Sequence, residues 1–111
     1  MMEDRTKIQF VVERSYPNIV SYRRGTRNFF PPPNSGFTLV IDDEKYSTSI
    51  RDLKKSGATS IAKTFDEHGD RITRYDLCSK HGLKGGDKVY IEVEVPLKKY
   101  RLLKKGGMNW R

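Results

Sequence analysis

The stretch His81-Gly82-Leu83-Lys84-Gly85-Gly86-Asp87-Lys88-Val89-Tyr90-Ile91-Glu92-Val93 limits the possible folds more than any other part of the chain. Upstream of it, Arg74 to Lys80 sets Tyr75, Leu77 and Cys78 among polar residues, a short helical pattern. Gly82 then stands where a helix C-terminus takes a left-handed residue. Gly85-Gly86-Asp87 reads as a tight turn, since glycine alone reaches positive φ without steric cost. Val89, Ile91, Val93 and Val95 alternate with Lys88, Tyr90, Glu92 and Glu94, the period-two pattern of a half-buried strand. Helix, glycine turn and apolar strand in this order form a closing unit of small β-barrels.

The rest of the chain reads mostly as β. Strands are expected at Lys7 to Arg14, Phe37 to Asp42, Lys45 to Arg51, Ser60 to Phe65, Lys88 to Val95 and Tyr100 to Leu103. The second and third flank Asp43-Glu44 as a hairpin, although that pair is not a favoured turn. Ser15 to Asn28 reads as irregular, Pro31-Pro32-Pro33 as a stiff extended run, and Lys54 to Gly57 as an exposed loop. Strand spacing of about eight to twelve residues favours a barrel or sandwich over β-α-β units. A barrel would also remove open sheet edges.

At 111 residues there is room for one modest core. The expected division is one domain over 1–105 with a tail or linker over 106–111. A hydrophobic fraction of 35% with twelve aromatic residues (Phe 5, Tyr 6, Trp 1) excludes a disordered chain. The net charge of +8 is unevenly placed. Arg14, Arg23, Arg24 and Arg27 lie in a stretch without an acid, and so do Lys98, Lys99, Arg101, Lys104, Lys105 and Arg111. Such runs raise the odds of a polyanionic partner; the plain alternative is a solvated, solubilising surface. The single cysteine, Cys78, excludes an internal disulfide and fits a reducing, intracellular compartment; in a helical segment it reads as a small core residue. Neither a membrane-spanning run nor a signal peptide is read.

Catalytic constellations are weak. His68 and His81 lack the paired Cys/His spacing of a zinc site, so no metal or other cofactor is expected. Asp42-Asp43-Glu44 resembles a magnesium-holding cluster, yet adjacent acids at a hairpin tip are usually solvated turn residues. Gly85-Gly86-Asp87-Lys88 is too short for a phosphate loop.

Binding has better material. Tyr22, Arg23, Arg24, Arg27 and Asn28 share one glycine-punctuated loop. Arginine pairs bidentately with guanine and asparagine with adenine, while hydroxyls and glycine backbone suit phosphates. Arg51, Lys54, Lys55 and Ser56 lie in a second loop of cations and small hydroxyl residues that runs to Ser60. Both could equally be solvated loops.

The order FFPPPNSGFTLVIDDEKYSTSIRD, a small-residue loop, then RYDLCSKHGLKGGDKVYIEV is similar to B3-type DNA-binding domains. These occur in plant transcription factors and as specificity domains of bacterial type II restriction enzymes. The likeness runs from about Lys7 to Leu103. Tyr75 and Leu77 stand where plant members carry Trp and Phe, which favours the bacterial type. The resemblance implies a mainly β, seven-stranded open pseudobarrel with one or two short helices. It implies major-groove reading by two arms, Ser15 to Asn28 and Arg51 to Lys63, which adds Lys63 to the DNA-binding set. The implied partner is double-stranded DNA, with a nuclease domain in the same or another chain and no catalysis in this one. Lys98, Lys99, Lys104 and Lys105 would touch phosphates. Two other classes stay open: an RNA or single-stranded DNA module stacking bases on Tyr16, Tyr22 and Phe29, and a small metal-dependent nuclease.

Overall fold

The computed structural model describes residues 6–51 and 57–104. The strands are β1 (Lys7–Val12), β2 (Ile19–Ser21), β3 (Phe37–Ile41), β4 (Glu44–Thr48), β5 (Thr59–Ser60), β6 (Thr64–Phe65), β7 (Arg71–Ile72), β8 (Lys88–Val95) and β9 (Lys99–Lys104). One α-helix, α1 (Arg74–Lys80), precedes β8, and a 3-10 helix spans Thr26–Phe29. They form one curled sheet in the order β5-β2-β1-β8-β9-β3-β4-β6-β7. Every pairing is antiparallel except β3 with β9. The fold is therefore mainly β, as expected, but with nine strands among the described residues instead of seven.

The difference has identifiable causes. The segment expected as irregular from Ser15 to Asn28 contains β2 and all but the last residue of the 3-10 helix. Ile19 and Val20 are buried there, a short apolar pair hidden among arginines. β7 is a two-residue strand paired with β6. The strand expected from Ser60 to Phe65 is divided into β5 and β6 by a bulge. Ile50 lies opposite Ile61, but Ser47 lies opposite Phe65, so one strand advances four residues while its partner advances three.

The curl brings β5, at one end of the strand order, against the continuation of β4. There Arg51 N–H donates to Ser60 O at 2.9 Å and Ala62 N–H to Ser49 O at 2.8 Å. Alternating side chains fill the concave face, which is the core. One row crosses four strands in register: Ile8, Ile91, Leu102 and Ile41, all buried. Phe30, Phe37 and Tyr100 form an aromatic group, with Phe30 stacked on Tyr100 at 4.5 Å. α1 adds Leu77 and Cys78 to this core.

The glycine-rich segment acts as read, and its geometry explains both turns. Thr73 caps α1 by accepting from Asp76 N–H at 3.1 Å. At the other end, Gly82 has φ 71°, Gly82 N–H donates to Ser79 O, and Leu83 N–H donates to Cys78 O at 2.8 Å. This is the glycine-ended closure that satisfies the last helical carbonyls. The next turn docks under the end of β1: Gly86 N–H donates to Val12 O at 2.6 Å and Val12 N–H to Asp87 O at 2.9 Å. A Cβ on Gly85 would lie 2.8 Å from the Arg14 Cα, a backbone atom that cannot step aside. Gly85→Ala is therefore expected to cost about 1–3 kcal/mol in urea unfolding, in line with overpacking. An unchanged midpoint would show that the turn does not hold β1.

The β3–β4 turn falls one residue earlier than expected. Asp42 (φ 49°) and Asp43 (φ 66°) are its two central residues. Both lie in the left-handed region, which the primed hairpin turn requires and aspartate tolerates.

Candidate nucleic-acid interface

The pairing of β2 with β5 joins the two basic segments. Val20 lies opposite Ser60 and Ser21 opposite Thr59, so the root of the first arm runs beside the end of the second basic stretch. A side-chain bond adds to this, because Arg27 Nη2 donates to Ala58 O at 3.2 Å.

The first arm is exposed at its tip and rooted at both ends. Tyr22, Arg23, Arg24 and Asn28 are exposed, while Arg27 is half-buried. Beneath them the Ser21 and Thr26 hydroxyls bond at 3.0 Å in a buried position. Gly25 takes φ 89° to turn the chain into the 3-10 helix. The far root is Phe30 in the core, with the Tyr100 hydroxyl donating to Phe29 O at 2.6 Å. Tyr22 donates to Glu13, and that bond raises its phenol pKa above the ordinary value. The loop thus offers cations from a fixed base, the arrangement in which binding residues sit on a scaffolded loop.

Arg51 and Lys63 go elsewhere. Together with Arg71 and Arg74 they line a cleft of about 490 Å³, whereas Tyr22 and Arg23 border a concavity of about 300 Å³ beside Gln9 and Val20. Lys54, Lys55 and Ser56 lie outside the described residues, as do Lys105 and the tail over 106–111.

Arg74 and Arg71 were missed from the sequence. Arg74 is only 8% exposed. Its Nη2 donates to Ile61 O at 2.9 Å and Ala62 O at 2.7 Å, and its Nη1 to the Thr64 hydroxyl at 3.2 Å. The guanidinium fills the bulge between β5 and β6, where it takes the Ile61 and Ala62 carbonyls. Burial works against its charge and lowers its pKa from the ordinary arginine value. Its place was legible in principle, because Arg74 lies three and four residues before Leu77 and Cys78, on one helical face. Tyr75, read as apolar, is exposed and meets Tyr16 edge-on at 5.0 Å.

Other cations are engaged within the fold. Lys99 pairs with Glu94, and Arg101 pairs with Glu94 and Asp43. Lys104 pairs with Asp42 and donates to His81 O at 2.9 Å. Of the expected phosphate contacts at this end, Lys99 and Lys104 thus have internal partners, and Lys98 is exposed at the β8–β9 turn.

The same pairs account for the acidic cluster. Asp43 faces Arg101, Glu44 faces Lys80, and Asp42 faces both Lys104 and His81. His81 is buried between Asp42, 3.0 Å from Nδ1, and the Tyr46 hydroxyl, 2.6 Å from Nε2. Burial pushes the Tyr46 phenol up to about 12, so it keeps its proton. The chain of bonds pins the β3–β4 hairpin to the end of α1. No group of three or more metal-ligating side chains occurs among the described residues.

The bond from Lys104 and, secondarily, His81 hold Asp42 below its usual carboxylate range. The stability they confer is complete above the unfolded value of about 3.9 and fades as pH falls through the lower folded value. Asp42→Asn should therefore cost up to about 1 kcal/mol at neutral pH, after allowance for its partial exposure. The gap from the parent should close below about pH 4 in melting curves. A gap independent of pH would remove the ion pair from the account.

Among the described residues, no helix is long and apolar enough to cross a membrane. No family model, no curated protein and no solved structure matches this chain.

Proposed function

We propose that this chain is a sequence-specific double-stranded DNA-binding domain of the B3-like pseudobarrel type, serving as the recognition domain of a bacterial restriction enzyme and carrying no catalysis of its own. The observation that supports it most is the exposed, cationic Tyr22–Asn28 loop, rooted through β2 on Thr59–Ser60 of the second basic stretch. The exposed guanidiniums of Arg23 and Arg24, with Asn28, are of the kinds that reach base edges in a major groove. Ser21, Thr26 and Phe30 hold the loop in place, so little ordering would be needed on binding. The compartment in this reading is the bacterial cytoplasm.

A second reading has its own observation. Tyr16, Tyr22 and Phe29 are exposed aromatics, the material of a single-strand or RNA stacking surface. A gel-shift competition with duplex DNA, single-stranded DNA and RNA separates the two. Duplex should compete best, and repeated selection from a random duplex pool should yield one motif. Preferential capture of single strands or RNA, or a pool that stays random, would refute duplex reading.

A further inference from the structure

Arg51 and Lys63, read from the sequence as arm residues, lie with Arg71 and Arg74 in a cleft apart from the Tyr22–Asn28 loop, and its chemistry is specific. Among the described residues its lining has four cations and no carboxylate. They come from separate parts of the chain: the end of the β4 segment, the bulge, β7 and the first residue of α1. Arg74 lies buried in this lining, and its two Nη atoms are held by carbonyls and a hydroxyl. Its Nε, itself sealed from solvent, has no hydrogen-bond partner among the described residues. A guanidinium fixed and buried in the lining adds to the positive field of the exposed Arg51, Lys63 and Arg71, which favours an anion there.

The space is larger than an inorganic anion needs. At about 490 Å³ it falls in the range of small-molecule sites, roughly 300–1,000 Å³. Tyr16 also lines it, half exposed, with its ring braced edge-on by Tyr75 at 89°. Asn34 also lines it, as does Asn18, whose amide nitrogen donates to Glu13 at 3.2 Å. Cations for a phosphate, an aromatic face and amides for a planar base are the elements of a nucleotide site. We propose that this cleft binds a single nucleotide through its phosphate, with Arg51, Lys63 and Arg71 as the exposed cations and the buried Arg74 holding the bulge that shapes the wall. The nucleotide comes either free or as one unit of a nucleic-acid strand.

The test is thermal melting of the full chain with inorganic phosphate or a 5′-mononucleotide, against chloride at equal ionic strength. Parent protein should gain about 4 °C or more at saturating ligand. The double variant Lys63→Gln/Arg71→Gln changes only exposed side chains, so it should fold as the parent does and lose most of that gain. Arg74→Lys should lose it as well, and its own melting temperature without ligand reports any damage to the bulge. Equal gains in parent and double variant would mean general salting-out stabilisation and overturn the site, as would no gain in the parent. A labelled mononucleotide bound to the parent then distinguishes the sources. Displacement by unlabelled duplex or single strand places a strand's nucleotide in the cleft, and retention assigns it to a free one. The melting arm contains no duplex, so it stands or falls apart from the arms' reading of DNA.

Discussion

Arg23→Ala/Arg24→Ala is expected to weaken binding to the preferred duplex by at least about tenfold, and by a hundredfold or more if one guanidinium grips a base. A bidentate arginine contact contributes about 1–3 kcal/mol of discrimination, and a lost phosphate contact weakens all sequences alike. Both side chains are exposed, and the loop beneath them is held by Ser21, Thr26 and Phe30. Stability should accordingly move by no more than about 0.5 kcal/mol. Titration of labelled duplex by fluorescence anisotropy, beside a melting curve, reads both. A variant that unfolds would turn the arm into a structural element. A variant that binds every duplex as the parent does would remove it from the interface.

Ile91→Ala should do the reverse. Ile91 is fully buried at the centre of β8, between Ile8 on β1 and Leu102 on β9. Neighbouring strands hold that row in register, so the site cannot collapse onto the missing atoms. Truncation of a buried isoleucine to alanine costs about 2–5 kcal/mol through lost transfer energy and the residual cavity. For a chain of this size the melting temperature should fall by roughly 10 °C or more. Below the new transition, duplex affinity should stay within about twofold of the parent. A loss under about 1 kcal/mol would mean that the curled sheet is not the cooperative core described above.

The parts of this fold that were legible in the sequence are those where local pattern and tertiary role agree. β8, α1 and its glycine closure each carry a strong periodic or conformational signal, and each lies where that signal places it. Short strands carried no such signal. β2 and β7 have three and two residues, too few for alternation to show, and their partners alone make them strands. The bulge was hidden for a related reason. Ala62 and Lys63 look like ordinary strand residues, and only the offset between the Ile50–Ile61 and Ser47–Phe65 pairs shows the extra one.

The candidate site divides the same way. Charge pointed to the Tyr22–Asn28 loop, and the loop is exposed. Charge could not show which cations have internal partners. Lys99, Arg101 and Lys104 looked like free cations until the fold set Glu94, Asp43 and Asp42 against them. Nor could it show that Arg74 is buried, because arginine is expected outside unless paired.

The central proposal is that the basic loop rooted on the β2–β5 pair grips duplex DNA. Its most direct test is the dependence of duplex affinity on salt, measured by anisotropy from low to physiological ionic strength. With the internally paired lysines at the β9 end set aside, about four to six phosphates would be neutralised. Log affinity should then fall against log salt with a slope of about −4 to −5. The Arg23→Ala/Arg24→Ala variant should flatten that slope by about one to two. A slope near zero with tight binding retained, or one untouched by the double variant, would contradict the account.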